Sequence, residues 1–179
     1  MPVKSKAPPP ITSEQTASEA FATILRHNYD YMLEWRESAR SWADIEGVHQ
    51  VRVSFRRMRS ALNLFRDAVP RDATDLWGDE MRWFAGELGS ARDLDVFITE
   101  ALGPASAFLP LPGADRLRVL VENRRARIYE ERVVAMLDSE RFRQFCDAFP
   151  GWVDARAWED APAKKKQRKR LRDSIVSYS

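Results

Sequence analysis

The chain has 179 residues, one cysteine and two histidines, with 44% hydrophobic and 31% charged residues. That length corresponds to about one domain and can bury a core without covalent staples. The lone Cys146 excludes an internal disulfide framework, and so few soft ligands argue against a protein-built zinc site.

No run of apolar residues is long enough to span a bilayer, so no membrane partner is expected. The basic, proline-rich start MPVKSKAPPP lacks the apolar stretch of a secretory signal. A soluble, cytoplasmic protein is the expectation.

The formal net charge of +2 hides a segregation. Residues 47–66 hold five arginines (52, 56, 57, 59 and 66) and no acid; residues 164–172 hold seven Lys or Arg, again without an acid. Outside these two stretches 17 basic residues face 27 acidic ones. Cations concentrated in this way attract polyanions whatever the overall charge.

In chain order, residues 1–12 read as a disordered lead-in, because consecutive prolines do not propagate a helix. Thr12 or Ser13 offers an N-cap to a helix over about 14–42, whose apolar face carries Phe21, Ile24, Leu25, Met32, Trp35, Ala39 and Trp42. After a break at Gly47 comes a second helix with Val48, Val51, Phe55, Met58, Leu62 and Phe65 at three- and four-residue spacing, stopped by Pro70.

A third helix is predicted over about 74–88 through Leu76, Met81, Phe84 and Leu88, then a short one from Arg92 to Leu102. Residues 103–113, rich in Pro and Gly, read as a loop. A long element over about 114–138 shows Leu117, Leu120, Val121, Ile128 and Ala135 on one side, and a further one over 139–149 ends at Pro150-Gly151. Residues 164–176 form a basic helix or tail, and no segment alternates with period two. The expected fold class is an all-α helical bundle. The expected organisation is a lead-in over 1–12, a helical domain over 13–160 and a basic C-terminal segment over 161–179.

On a helical wheel of the second helix, Arg59, Arg52, Arg56 and His49 fall within roughly 80° of one another, directly beside the apolar seam, with Asn63 among them. Like charges at this spacing repel, and no acid on the same helix relieves them. Arginine suits an anionic ligand because its fork donates paired hydrogen bonds to phosphate oxygens and keeps its charge. The alternative is that acids of neighbouring helices, such as Asp93, Asp95 or Glu122, neutralise the stripe.

Arg124 lies within the apolar face of the 114–138 element. If buried there, it needs Glu131, another acid or a bound anion as partner. Asp93 and Asp95 are the only candidates for a metal or acid–base pair, and no nucleophile constellation or phosphate-cradling glycine loop is present.

The run EGVHQVRVSFRRMRSALNLFR (46–66) followed by MRWFAGELGSARDLDVF (81–97) resembles the first half of a CHAD domain, the conserved histidine α-helical domain. The resemblance extends less sharply over about 18–150, including RRAR (124–127) and LDSERFRQF (137–145). It implies a helical fold of two four-helix halves related by pseudo-two-fold symmetry, a basic surface between them, and binding of inorganic polyphosphate, in some members at polyphosphate granules. The family's His-x-x-Arg motif falls on His49 and Arg52, its following basic positions on Arg56 and Arg59, and its RD motif on Arg92 and Asp93.

The expected polyphosphate contacts are therefore His49, Arg52, Arg56, Arg59, Arg92 and Arg124, with no catalytic residue, metal or cofactor. A protonated His49 adds a hydrogen bond that fades above its ordinary pKa of about 6.5.

Two departures stand out: Asn63 leaves the stripe uncharged one turn after Arg59, and no second His-x-x-Arg helix follows. The chain then reads as only the N-terminal four-helix half of the family fold, completed by a homodimer or left as a split member. Nucleic-acid binding through 164–172, with Trp152, Trp158 or Tyr178 as stacking groups, is the alternative function, and an accessory role in phosphate or nucleotide metabolism the next.

Overall fold

A computed structural model describes residues 8–108 and 113–178. Helix α1 (Ala17–Ser41) begins at Thr16, four residues later than Thr12. Thr12 and Gln15 close a turn of their own through the Thr12 N–H to Gln15 Oε1 bond of 3.2 Å. The capping box belongs instead to Thr16 and Glu19: the Thr16 hydroxyl accepts from the Glu19 N–H at 3.2 Å, and the Glu19 carboxylate accepts from the Thr16 N–H at 2.9 Å.

These bonds from Thr16, backbone first and then hydroxyl, hold the Glu19 carboxyl below the usual carboxylate range. Its stabilisation is therefore complete above its ordinary value of about 4.5 and is lost as pH falls from there through the lowered pKa. Thr16→Ala is expected to cost about 1 kcal/mol. In melts at successive pH values, the gap between this variant and wild type should narrow on acidification below about pH 4.5.

After the left-handed Trp42 (φ 46°), α2 (Glu46–Leu64) folds back along α1, burying Val48, Val51, Phe55 and Met58 as its spacing predicts. Gly47 lies in its first turn rather than in a break. A Cβ there would stand 2.4 Å from the Ala39 backbone nitrogen, so the two helices meet backbone to backbone. A short 3-10 turn, Arg71–Ala73, leads into α3 (Asp75–Glu87), and α4 starts at Gly89 (Gly89–Val96).

Helix α4 continues through a π-turn (Phe97–Leu102) and on over Gly103–Phe108, where a loop was expected. Residues 109–112 lie outside the described residues. Helix α5 (Ala114–Ile128) likewise passes through a π-turn (Tyr129–Val134) to Ala135–Leu137.

The sequence stops α6 at Pro150-Gly151, yet the helix runs over Glu140–Asp154 with Pro150 inside it. Proline has no N–H for the carbonyl four residues back. The Tyr29 hydroxyl donates to that carbonyl, Cys146 O, at 2.9 Å, so the helix continues with the acceptor satisfied. Ser139 caps its start by accepting from the Phe142 N–H at 3.1 Å.

Helix α7 (Lys165–Arg172) is docked, not a free tail. Leu171 is buried, the Ala17 N–H donates to Asp173 O at 2.9 Å, Thr16 and Ser174 form an antiparallel bridge, and Arg170 pairs with Asp67 at 2.9 Å.

The described residues thus form an all-α bundle of seven helices over nearly the full chain, which corrects the expectation of one four-helix half. The α1–α2 hairpin is central; α3 and α4 pack on α2, α6 packs on α1 and α3, and α7 crosses the start of α1. Phe55, Phe84, Phe142, Phe145 and Phe149 form an aromatic column between them, with ring centroids of successive neighbours 4.9–6.5 Å apart.

Trp35 and Trp42 of the first predicted face are half-buried against the core, as is Trp83, while Trp158 is fully buried in it. Residues 1–7 of the predicted lead-in lie outside the described residues, and 8–12 run without helix or strand. No helix among the described residues is long and apolar enough to cross a membrane.

Candidate functional site

The burial of Val48, Val51, Phe55 and Met58 orients α2 so that the predicted stripe emerges at the edge of the core. His49, Arg52 and Arg59 are half-buried and Arg56 is exposed. Arg52 Nη1 donates to Ala85 O, in the last turn of α3, at 3.1 Å. This bond places a cation on the negative end of that helix and holds the guanidinium in position.

Gly89, the first residue of α4, stands beside it; a Cβ there would come 3.0 Å from Arg52 Nη1. Arg92, half-buried, follows on the same side of α4 one turn later. Arg52 thus stands at the start of α4, one turn before the RD-motif arginine, with Arg56 and Arg59 following along α2, and none of the four forms an ion pair among the described residues.

Of the acids that would have neutralised them, one is engaged elsewhere and the other two join no ion pair among the described residues. Asp95 is fully buried; its Oδ1 accepts from Arg125 Nε at 2.7 Å and its Oδ2 from the Tyr129 hydroxyl at 2.6 Å. Asp93 and Glu122 are exposed and join no ion pair among the described residues. With both its oxygens held inside the protein, Asp95 is an anchor, not half of a metal or acid–base pair. No group of three or more metal-ligating His, Cys, Asp or Glu occurs among the described residues.

Arg124 is placed differently from the expectation. Leu117 (45% exposed), Leu120 (60%) and Arg124 all face outward, and it is Arg125, one residue on, that turns inward. Burial works against the Arg125 charge, but the hydrogen bond and the charge of Asp95 outweigh it and its pKa is raised. The Tyr129 hydroxyl is also pushed up, by burial and then by Asp95.

Trp42 stacks on Tyr129 with centroids 5.2 Å apart, and the Arg125 guanidinium sits 4.6 Å from the Tyr129 ring centre. This cluster ties α4 and α5 to the end of α1. Sequence reasoning missed Arg125 and Tyr129. Their signal was the run RRAR followed by an aromatic residue, but which arginine faces inward depends on the π-turn that follows.

The stacking groups of the nucleic-acid alternative are not free either. Trp158 is fully buried and donates from Nε1 to Ser18 Oγ at 2.9 Å, and Trp152 packs in the aromatic column against Trp77 and Phe149. The Tyr178 side chain lies outside the described residues.

The fold is thus a seven-helix bundle that carries an arginine row without carboxylate partners among the described residues, beside an RD motif. The CHAD domain family model matches residues 23–176, so the chain belongs to the CHAD family. The match runs through α7 and takes in nearly the whole chain, which overturns the reading of an N-terminal half alone.

Among solved structures, the chain is similar to the CHAD domain from the plant Ricinus communis, with a TM-score of 0.71 and 26% identity over 94% of this chain and 52% of that one. Among curated proteins, it is 29% identical over 131 residues to an uncharacterized protein of Mycobacterium tuberculosis (strain CDC 1551 / Oshkosh), covering 72% of this chain and 25% of the relative. The chain thus spans about half and a quarter of these relatives' lengths. Family membership makes it a non-catalytic accessory module and supports a role in phosphate- or polyphosphate-related regulation.

Proposed function

We propose that the protein binds inorganic polyphosphate along α2, with Arg52, Arg56 and Arg59 as the main phosphate clamps, His49 at the head of the row, and Arg92 and Arg124 adding contacts from α4 and α5. The observation that carries this reading is that the stripe arginines, at the edge of a well-packed core, have no carboxylate partner among the described residues. An extended polyanion fits such a row better than a single small anion, since the helix repeats its cations about every 5.4 Å. Binding of this kind would bring the protein to polyphosphate granules. Two copies about a two-fold axis would set two such stripes side by side.

The test is titration with long-chain polyphosphate, and with single-stranded and duplex DNA at matched phosphate concentration, over a range of salt. Wild type should bind polyphosphate most tightly, with affinity falling steeply as salt rises. Arg52→Ala/Arg56→Ala should weaken binding by about tenfold or more. Because Arg52 also bonds Ala85 O, the exposed Arg56→Glu serves as a second variant and should weaken binding without shifting the melting temperature.

Replacing Lys165, Lys166 and Lys169 of α7 by alanine should have a small effect on polyphosphate. Equal affinity for DNA and polyphosphate, sensitive to α7 and indifferent to α2, would refute the proposal.

A further inference from the structure

Asn63 is where the spacing ends the cationic row. In the fold, Asn63 lines a pocket of about 230 Å³ at the corner between α2 and α3, together with Arg59, Arg66, Arg71 and Arg82. Arg66 follows α2, Arg71 opens the 3-10 turn, and Arg82 comes from the second turn of α3, so three separate pieces of chain contribute arginines to the lining of one pocket. Arg59 belongs to both the stripe and the pocket. We infer that this pocket holds the terminal phosphoryl group of a polyphosphate chain, with the body of the chain lying along α2; the identity of the chain rests on the polyphosphate reading above.

Charge is what separates an end from a middle. Two carboxylates also line the pocket, Asp75 and Asp79. Asp79 pairs with Arg82, and Asp75 offsets one further cation. Arg59, Arg66 and Arg71 form no ion pair among the described residues. Four guanidiniums against two carboxylates leave two positive charges. A terminal phosphoryl group takes a second negative charge near neutral pH, as phosphate monoesters do with a second pKa of about 6, whereas interior units of the chain keep one.

The start of α3 adds donors. Thr74 commits its hydroxyl to Arg71 O at 3.1 Å, so the first N–H groups of α3 have no side-chain cap. A cluster with partial internal neutralisation thus selects a dianionic end over the singly charged units that pass along the helix.

The experiment compares linear tripolyphosphate with cyclic trimetaphosphate and cyclic tetrametaphosphate, which have no ends, by calorimetric titration of the full chain. Tetrametaphosphate carries charge comparable to the linear trimer and so controls for charge alone. Linear tripolyphosphate is expected to bind about tenfold tighter than either ring. Arg66→Ala/Arg71→Ala, both exposed side chains, should abolish that preference while leaving long-chain affinity within about threefold. Asp75→Asn should strengthen tripolyphosphate binding by about threefold.

Equal binding of linear and cyclic forms, or a preference that survives Arg66→Ala/Arg71→Ala, overturns the pocket assignment and leaves the polyphosphate reading standing. A linear preference without any long-chain binding overturns that reading and keeps the pocket. No binding of any of these anions overturns both.

Discussion

Asp95→Ala is expected to destabilise the protein by about 3–5 kcal/mol, the range for removing one partner of a buried ion pair. With the carboxylate gone, the half-buried Arg125 guanidinium loses its counter-charge and the fully buried Tyr129 hydroxyl its acceptor, and the two are left with only each other. For a chain of this size, the midpoint of a thermal melt should fall by about 6–20 °C. Asp95→Asn separates charge from shape. The amide oxygen still accepts one bond but leaves Arg125 without a counter-charge, so a smaller loss is expected. A melt of Asp95→Ala within about 2 °C of wild type would mean that the cluster does not anchor α4 and α5.

Gly47→Ala is the second large effect. Its Cβ would enter the van der Waals shell of three Ser38 and Ala39 backbone atoms at 2.4–2.7 Å. No rotamer relieves a clash with backbone, so the α1–α2 hairpin has to open at its closest crossing. A cost of about 3 kcal/mol or more is expected, at the upper end for overpacking. The displaced turn carries His49 and, one turn on, Arg52, so polyphosphate affinity should fall together with stability. Loss of stability with affinity intact would show that the stripe tolerates movement of the hairpin. A control at the open Gly151, where a Cβ meets nothing within 4 Å, should be nearly silent.

Helix α2 is legible in the sequence because its seam and its stripe occupy separate sectors of one uninterrupted α-helical register. Each of Val48, Val51, Phe55 and Met58 is buried, and none of the stripe residues is. Helix α5 is not legible in the same way. Its π-turn adds a residue to one turn and rotates everything after it by about 100°. A single wheel over 114–138 therefore averages two different inward faces: Arg125 and Ile128 before the turn, Met136 and Leu137 after it. Leu117 and Ala135, which that wheel puts together, are both exposed.

The pocket at Asn63 was hidden for another reason. Its arginines come from three elements, and helical spacing relates residues only within one. The cap of α1 was misplaced because Thr12 and Thr16 both head a T-x-x-[Q/E] pattern. Only docking of the chain end, through the Asp173 and Ser174 backbone, decides between them.

Tyr29 and Pro150 carry a consequence for how the bundle assembles. Proline deletes one rung from the α6 ladder, and the missing donor arrives from a side chain on α1, 117 residues away in sequence. Before the two helices meet, the Cys146 carbonyl has only water as a partner; burying it without a donor is unfavourable. Completing α6 and docking it on α1 are therefore coupled, because the helix gains its missing donor only when α1 lies alongside it. Cooperativity between the two ends of the chain is written into a single hydroxyl.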